Sequence, residues 1–276
     1  MESAEQQHCQ SQYTSGGLRP AHLVDPVALE LKVKKMYSLV AYDPYGNYHF
    51  EMGKALAQKL GYPEEMLQNV PHESLESFAG VGYHFGLSPI SRGDFVVDLG
   101  SGSGTDSFIA SALAGGTGRV VGIDMTIEQL QKANGIRQRF GYQNISFRKG
   151  YIEAIPLPDG FADVVISNGV FNLSAAKQKT FEEAARVLKR GGKVLMSDII
   201  SRDVLPEKIT GNATLWAACI GGAVPLSQYE QMLGQAGFKL SELKENPEYE
   251  FLTSGARSAA ALYGIRSLSF VALKIK

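Results

Sequence analysis

Cysteine is nearly missing from this chain: 276 residues carry two, Cys9 and Cys219. That count leaves no disulfide framework, and without a C-x-x-C or a clustered Cys/His spacing no metal site is expected. Long apolar runs are absent too, so no segment reads as a membrane span, and the polar opening Met1-Glu2-Ser3-Ala4-Glu5-Gln6-Gln7 does not read as a secretory signal. There is also no excess of charge of either sign. With 27 basic and 28 acidic residues the formal net charge is −1, which gives no electrostatic footprint for nucleic acid or an anionic membrane. These absences point to a cytoplasmic protein, monomer or homodimer, whose partner is a small molecule rather than a nucleic acid or a membrane.

What is present is ordinary globular composition, 44% hydrophobic and 20% charged, in a chain long enough to bury a substantial core. The most informative stretch is Phe95-Val96-Val97-Asp98-Leu99-Gly100-Ser101-Gly102-Ser103-Gly104-Thr105-Asp106. An apolar run breaks into three alternating glycines and resumes as Ser107-Phe108-Ile109-Ala110, which reads as a buried parallel strand, a tight turn and a helix start. Glycine at every second position permits positive φ and lets a ligand approach the main chain without meeting a Cβ. The free N–H groups of the following helix add hydrogen bonds and a partial positive end. A dinucleotide fingerprint would read G-x-G-x-x-G; here the third glycine comes one residue early, and Asp98 stands two places before the first, where an acid suits a ligand's ammonium group. The spacing disfavours a nicotinamide-dependent oxidoreductase.

Residues 1–26, rich in Gln, Ser and Gly, read as a flexible tail that contains His8, Cys9 and His22. From Pro26 the pattern turns helical, and residues 27–90 are expected to form an N-terminal helical cap or lid. Two aromatic loops interrupt it. The first, Tyr42 to Phe50, carries Tyr45 and His49; the second, Phe78 to Gly86, carries Tyr83 and His84. Further strands are expected at Arg119–Asp124, Ile145–Gly150, Ala162–Asn168 and Lys193–Ile199. A helix from Thr126 to Phe140 has Thr126 as its N-cap, and Ser174 caps another that reaches Leu188 and is stopped by Lys189-Arg190-Gly191-Gly192. Leu226 to Ala236 reads as a helix, and Phe238–Leu243 and Ser267–Lys274 as the last strands. Strands alternating with helices imply a parallel sheet with both faces covered, and ligands on such sheets bind beyond the carboxyl ends of the strands. Gly100, Asp124, Gly150 and Asn168 all fall there. Asp124 ends the second strand 20 residues after Gly104, where a carboxylate accepts the hydroxyls of a ribose.

Asp98-Leu99-Gly100-Ser101-Gly102-Ser103-Gly104 resembles motif I of the class I S-adenosylmethionine-dependent methyltransferases. Further blocks, Gly122-Ile123-Asp124-Met125-Thr126, Gly150-Tyr151-Ile152-Glu153, Ser167-Asn168, Ala185 to Gly192 and Leu215-Trp216-Ala217-Ala218-Cys219-Ile220-Gly221-Gly222-Ala223, look like the arsenite-methyltransferase-like branch of that family. The resemblance implies an α/β Rossmann-like methyltransferase fold over 91–276, a mostly parallel seven-stranded sheet whose last strand inserts antiparallel between the fifth and sixth, with a substrate-lining insertion at about 200–225. It implies S-adenosyl-L-methionine as cofactor, leaving as S-adenosyl-L-homocysteine. Asp98, Gly100, Ser101, Gly102 and Gly104 would hold the methionine end, Asp124 the ribose, and Met125, Gly150, Tyr151, Ile152 and Glu153 the adenine, with Asn168 alongside.

The branch's arsenic chemistry depends on several cysteine thiolates. One family cysteine follows the Ser-Asn of the fourth strand, where this chain has Gly169. Another lies before the first strand, where it has Tyr83-His84-Phe85; Cys219 alone remains. The resemblance therefore implies methyl transfer to a small organic N, O or S nucleophile, with Tyr45, Tyr83, Gly169, Trp216 and Cys219 lining the acceptor space and His84 or His49 as general base. Methylation of trivalent arsenic stays open as an alternative, as does a cofactor-binding scaffold with no activity.

Overall fold

In the computed structural model the described residues are 24–276, so most of the expected tail, with His8, Cys9 and His22, lies outside them. Among the described residues four helices precede the first strand: α1 (Pro26–Tyr42), α2 (Gly53–Lys59), α3 (Glu64–Leu67) and α4 (His72–Leu75). Asp25 caps α1, its carboxylate accepting the Val27 N–H, and Pro26 occupies the first turn, where a missing N–H costs nothing. Strands β1 (Phe95–Leu99), β2 (Arg119–Asp124), β3 (Ile145–Lys149) and β4 (Ala162–Asn168) follow, with α5 (Thr105–Ala114) and α6 (Ile127–Arg139) as the first two crossovers. The remainder is α7 (Lys177–Val187), β5 (Leu188–Ile200), α8 (Glu207–Thr210), α9 (Ala213–Ala217), α10 (Leu226–Gln235), β6 (Phe238–Glu245), α11 (Ser254–Tyr263) and β7 (Arg266–Lys274). No helix among the described residues is long and apolar enough to cross a membrane.

The seven strands form one sheet in the order β3-β2-β1-β4-β5-β7-β6. Strands β1 to β5 pair in parallel, and β7 runs antiparallel between β5 and β6. That is the Rossmann-like methyltransferase arrangement, with the antiparallel last strand where the resemblance puts it. Alternation along the strands fills two cores. Val96, Val120, Ile166 and Leu195 pack with Phe108, Ala133 and Ile136 on one face; Val97, Ile123, Val165 and Met196 pack with Phe181, Ala184 and Tyr229 on the other. Each such large apolar side chain contributes about 1.5–3 kcal/mol by leaving water, so the sheet is a rigid frame for the loops at its carboxyl edge.

One local expectation holds in position and two are corrected. Thr126 stands at the N-cap of α6, but its side chain makes no capping bond there; its N–H is taken instead by Asp124. Ser174 is not the N-cap of α7: it closes a 3₁₀ turn (Phe171–Leu173) and its Oγ accepts the Ala176 N–H, while the helix begins at Lys177 with Ala176 at the N-cap. The Lys189-Arg190-Gly191-Gly192 stretch belongs to β5, since α7 stops at Val187 and Lys189 pairs with Asp163 on the neighbouring strand.

Candidate active site

The glycine turn folds back on the end of β2. The N–H groups of Gly100 and Ser101 both donate to Ile123 O, at 2.8 and 3.0 Å, and that of Gly102 donates to Asp124 Oδ2 at 2.9 Å. Gly100, Gly102 and Gly104 have φ of +72°, +51° and +94°, the left-handed region that favours glycine. Gly100 and Gly102 line a cavity above the turn; Gly104 does not. A Cβ at Gly104 would stand 2.6 Å from the Phe147 ring, so this third glycine lets the turn close onto β3.

Asp98 lies buried at the cavity floor, and Ser107 Oγ donates to it at 2.6 Å. Burial, and then the neighbouring carboxylate of Asp106, push its pKa up to about 8. Asp106, in the first turn of α5, accepts from Tyr62 Oη at 2.8 Å and Asn168 Nδ2 at 3.0 Å, and burial raises it to about 6. Asn168 is shared further: its Oδ1 accepts the Val81 N–H at 2.7 Å, and its Nδ2 also reaches Gly82 O and Tyr62 Oη. Its amide thus fastens the second aromatic loop to the end of β4. Gly80 makes this close approach feasible, since a Cβ there would lie 2.6 Å from Asn168 Nδ2.

On the other side of the cavity, Asp124 accepts from Gly102 and Thr126 N–H groups, while burial raises it above the usual carboxylate range. Met125, Gly150, Tyr151, Ile152 and Glu153 continue the wall. Ser174 Oγ donates to Glu153, which burial also raises. The roof is α1, with Leu29, Glu30, Val33 and Tyr37 on the cavity. A latch holds it: Glu30 Oε1 accepts from Lys34 Nζ at 2.6 Å and from Tyr151 Oη at 2.8 Å. Gln129 Nε2 donates to Tyr37 O at 2.8 Å, tying α1 to α6 as well.

The structure therefore gathers Asp98, Gly100, Ser101, Gly102, Asp124, Met125, Gly150, Tyr151, Ile152, Glu153, Asn168 and Gly169 around one cavity. The other expected residues are elsewhere, and nothing from 200–225 lines it. His84 is fully buried against Phe85, 3.5 Å from Ser197 Oγ of β5, and burial drives its pKa down to about 3. His49 sits edge-on to Phe50 with Nε2 near Ala217 O, its pKa lowered by burial. Tyr45 is 77% exposed, and Tyr83 packs on Tyr62 and Phe85. Trp216 donates its indole N–H to Thr210 O and lies under Lys177 Nζ, 4.4 Å from the ring centroid. Cys219 packs among Val81, Ile199 and Ile220, and burial followed by the Asp198 charge pushes its thiol up to about 12.

Tyr37, Glu30 and Asp106 were not singled out by sequence reasoning. The signal for Asp106 was an acid two residues past the last glycine; for Tyr37 it was only a place on the inner face of an amphipathic helix.

Residues 90–249 match the family model described as "Methyltransferase domain". The chain is 41% identical over 158 residues to the arsenite methyltransferase of Aquipseudomonas alcaligenes, covering 55% of this chain and 46% of that protein. Against the human arsenite methyltransferase it is 37% identical over 183 residues, covering 63% and 48% respectively. The chain thus spans about half the length of the curated relatives it matches. An arsenic(III) S-adenosylmethionine methyltransferase from Chlamydomonas reinhardtii superposes with a TM-score of 0.63 at 32% identity, over 77% of this chain and 72% of that one. With the sheet order, the glycine turn and the acid after β2 in one place, these matches place the chain in the methyltransferase-domain family.

Proposed function

We propose that the chain transfers a methyl group from S-adenosylmethionine to a small organic nucleophile. The observation that carries this reading is the pairing of a glycine-rich, positive-φ turn with three aspartates on the same cavity, the buried Asp98 and Asp106 on one side and the part-buried Asp124 on the other. The donor set fits the cofactor. Asp98 and Asp106 face the cavity with no cation of the described residues among the groups acting on them, which suits an ammonium and a sulfonium. Asp124, held in place by the N–H groups of Gly102 and Thr126, lines the cavity with a carboxylate that suits ribose hydroxyls. Met125 and Ile152 offer apolar surface to a purine.

When bound, the cofactor supplies a methyl group already activated on a positively charged sulfur. The chain's part is to orient and to exclude water. The glycine turn and Asp98 fix one end, Asp124 the middle, and residues 150–153 the far end. Helix α1 closes the roof through the Glu30–Lys34–Tyr151 latch. No histidine of the described residues lines the cavity, so neither His84 nor His49 serves as base in this reading.

The relatives' names favour a second reading, in which the acceptor is trivalent arsenic. Against it, no cysteine of the described residues lines the cavity, and the Cys219 thiol is held neutral by its burial. Incubating the protein with radiolabelled S-adenosylmethionine and an acceptor library separates the readings. Labelled organic product without arsenite supports methyl transfer to an organic acceptor. Turnover that depends on arsenite and thiol supports the second reading, and donor binding without any product supports a scaffold role.

A further inference from the structure

The block Leu215 to Ala223 is among the stretches that carry the family resemblance, yet none of it lines the cavity. Its surroundings give it another part. Trp216 belongs to one apolar cluster with Leu29, Val33 and Tyr37 of the roof helix α1 and with Leu173 and Ala175 of the turn that joins β4 to α7. All five of those residues line the cavity, so the indole is packed behind both roof and wall. Lys32 Nζ donates to Thr214 Oγ1 at 2.5 Å, a second tie between α1 and α9.

Over that indole stands the ammonium of Lys177, 4.4 Å from the ring centroid. Lys177 is 8% exposed, and its Nζ donates to Asn172 O at 3.1 Å and to Ser174 O at 2.8 Å. Asn172 joins it to a buried carboxylate. The Asn172 N–H donates to Asp198 Oδ2 at 2.9 Å, and the Tyr229 hydroxyl and the Ile199 N–H donate to the same carboxylate. Burial pulls the Lys177 pKa down, while Asp198 and then Glu153 hold it up. Gly222 admits the close approach, since a Cβ there would collide with Asn172 O.

A buried ammonium gives up its hydration, and an apolar side chain of the same length would fill the space without that loss. What the charge adds is direction. It grips two carbonyls of a turn whose Leu173 and Ser174 line the cavity, and a desolvated cation gains most from an aromatic face. Ser174 Oγ carries the grip one step further, to the cavity-lining carboxylate of Glu153.

We propose that Lys177 is a positioning residue of the transfer site, fastening Leu173 and Ser174 of the cavity wall to Trp216 beneath the roof helix, so that wall and roof close on the cofactor as one unit. This rests on the methyltransferase reading given above. A turn held in the bound geometry before the ligand arrives removes an ordering cost from binding.

Trp216 is the only tryptophan of the chain, so its emission reports on this contact without a label. Saturating the wild-type protein with S-adenosylhomocysteine should change that emission, although the indole does not line the cavity. Lys177→Met keeps the alkyl stem and removes the charge. It should abolish the emission change and weaken S-adenosylhomocysteine about tenfold in a calorimetric titration. Because that variant leaves Asp198 without its cation, Lys177→Met combined with Asp198→Asn removes both charges; thermal stability should recover while affinity stays about tenfold down. Wild-type affinity in the double variant would mean that Lys177 only balances Asp198, and it would overturn the proposal. An emission of the wild-type protein indifferent to S-adenosylhomocysteine would overturn it too, and needs no variant to fold. Failure of S-adenosylhomocysteine to bind the wild-type protein at all would overturn the methyltransferase reading instead, so the failures are distinct.

Discussion

The carboxylate of Asp124 accepts the backbone N–H of Gly102 at 2.9 Å, so the acid that ends β2 also shapes the glycine turn that follows β1. Its other oxygen accepts the Thr126 N–H at 2.8 Å and starts α6. Hydrogen bonds to a charged acceptor are worth about 1.5–3 kcal/mol each. Asp124→Ala should therefore weaken S-adenosylhomocysteine binding about 10- to 100-fold and lower the melting temperature as well. Asp124→Asn, which keeps one acceptor oxygen, should fall between the two. Calorimetry and thermal melts check both effects.

The acids of the cavity make binding and stability depend on pH. Asp98, up to about 8, and Asp106, up to about 6, hold protons that the unfolded chain releases near pH 4. The folded state therefore binds more protons between those values, and the stability of the ligand-free protein should fall as pH rises from about 4 towards 8. A cationic ligand favours the ionised forms, so affinity for S-adenosylmethionine should rise over pH 5 to 8 with proton release. Titration in buffers of different ionisation enthalpy measures that release, and a pH-independent affinity would count against these carboxylates facing the ligand.

Much of this was legible in the sequence, for a physical reason. A parallel strand, a tight turn and a helix start leave a spacing that fixes where Asp98, Gly100, Gly102 and Asp124 stand, because both faces of the sheet are set by Val96, Val97 and their neighbours. The direction of loop side chains is not so fixed. Phe78, Tyr62 and Phe85 draw the second aromatic loop inward, so Tyr83 and His84 meet rings rather than the cavity. Periodicity showed that α1 has an inner face, but not that Glu30, Val33 and Tyr37 on that face meet a cavity instead of core.

Gly100→Ala tests the turn. The new Cβ would collide with the methyl groups of Val170, and φ of +72° is unfavourable for alanine. We expect a loss of about 1–2 kcal/mol from the backbone and about 1–3 kcal/mol from overpacking. Adding Val170→Ala should recover the second part only. Chemical denaturation of the single and double variants reads the difference.

The latch on α1 should govern cofactor exchange. Lys34 Nζ bridges Glu30 and Tyr151 Oη, at 2.6 and 3.0 Å, across the roof of the cavity. Lys34→Met keeps the alkyl stem and removes the charge. Release of S-adenosylhomocysteine should quicken about two- to fivefold, matching a part-exposed pair worth ~0.5–1 kcal/mol. Stopped-flow displacement measures the rate.

Cys219 should be dispensable for the transfer to an organic acceptor. Its thiol packs in an apolar cluster and is not among the residues that line the cavity. Cys219→Ala should keep kcat/KM within about twofold, the range of a change that touches no bound group. A loss of a hundredfold would return the thiol to the acceptor site and favour the arsenic reading.

Whether the cavity takes S-adenosylmethionine is measured most directly by calorimetric titration of the protein with S-adenosylmethionine, S-adenosylhomocysteine and NAD in turn. We expect saturable one-to-one binding of the first two and none of NAD. Binding of NAD, with no heat from either sulfur-bearing ligand, would contradict the assignment of the glycine turn and its three aspartates to a methyl donor.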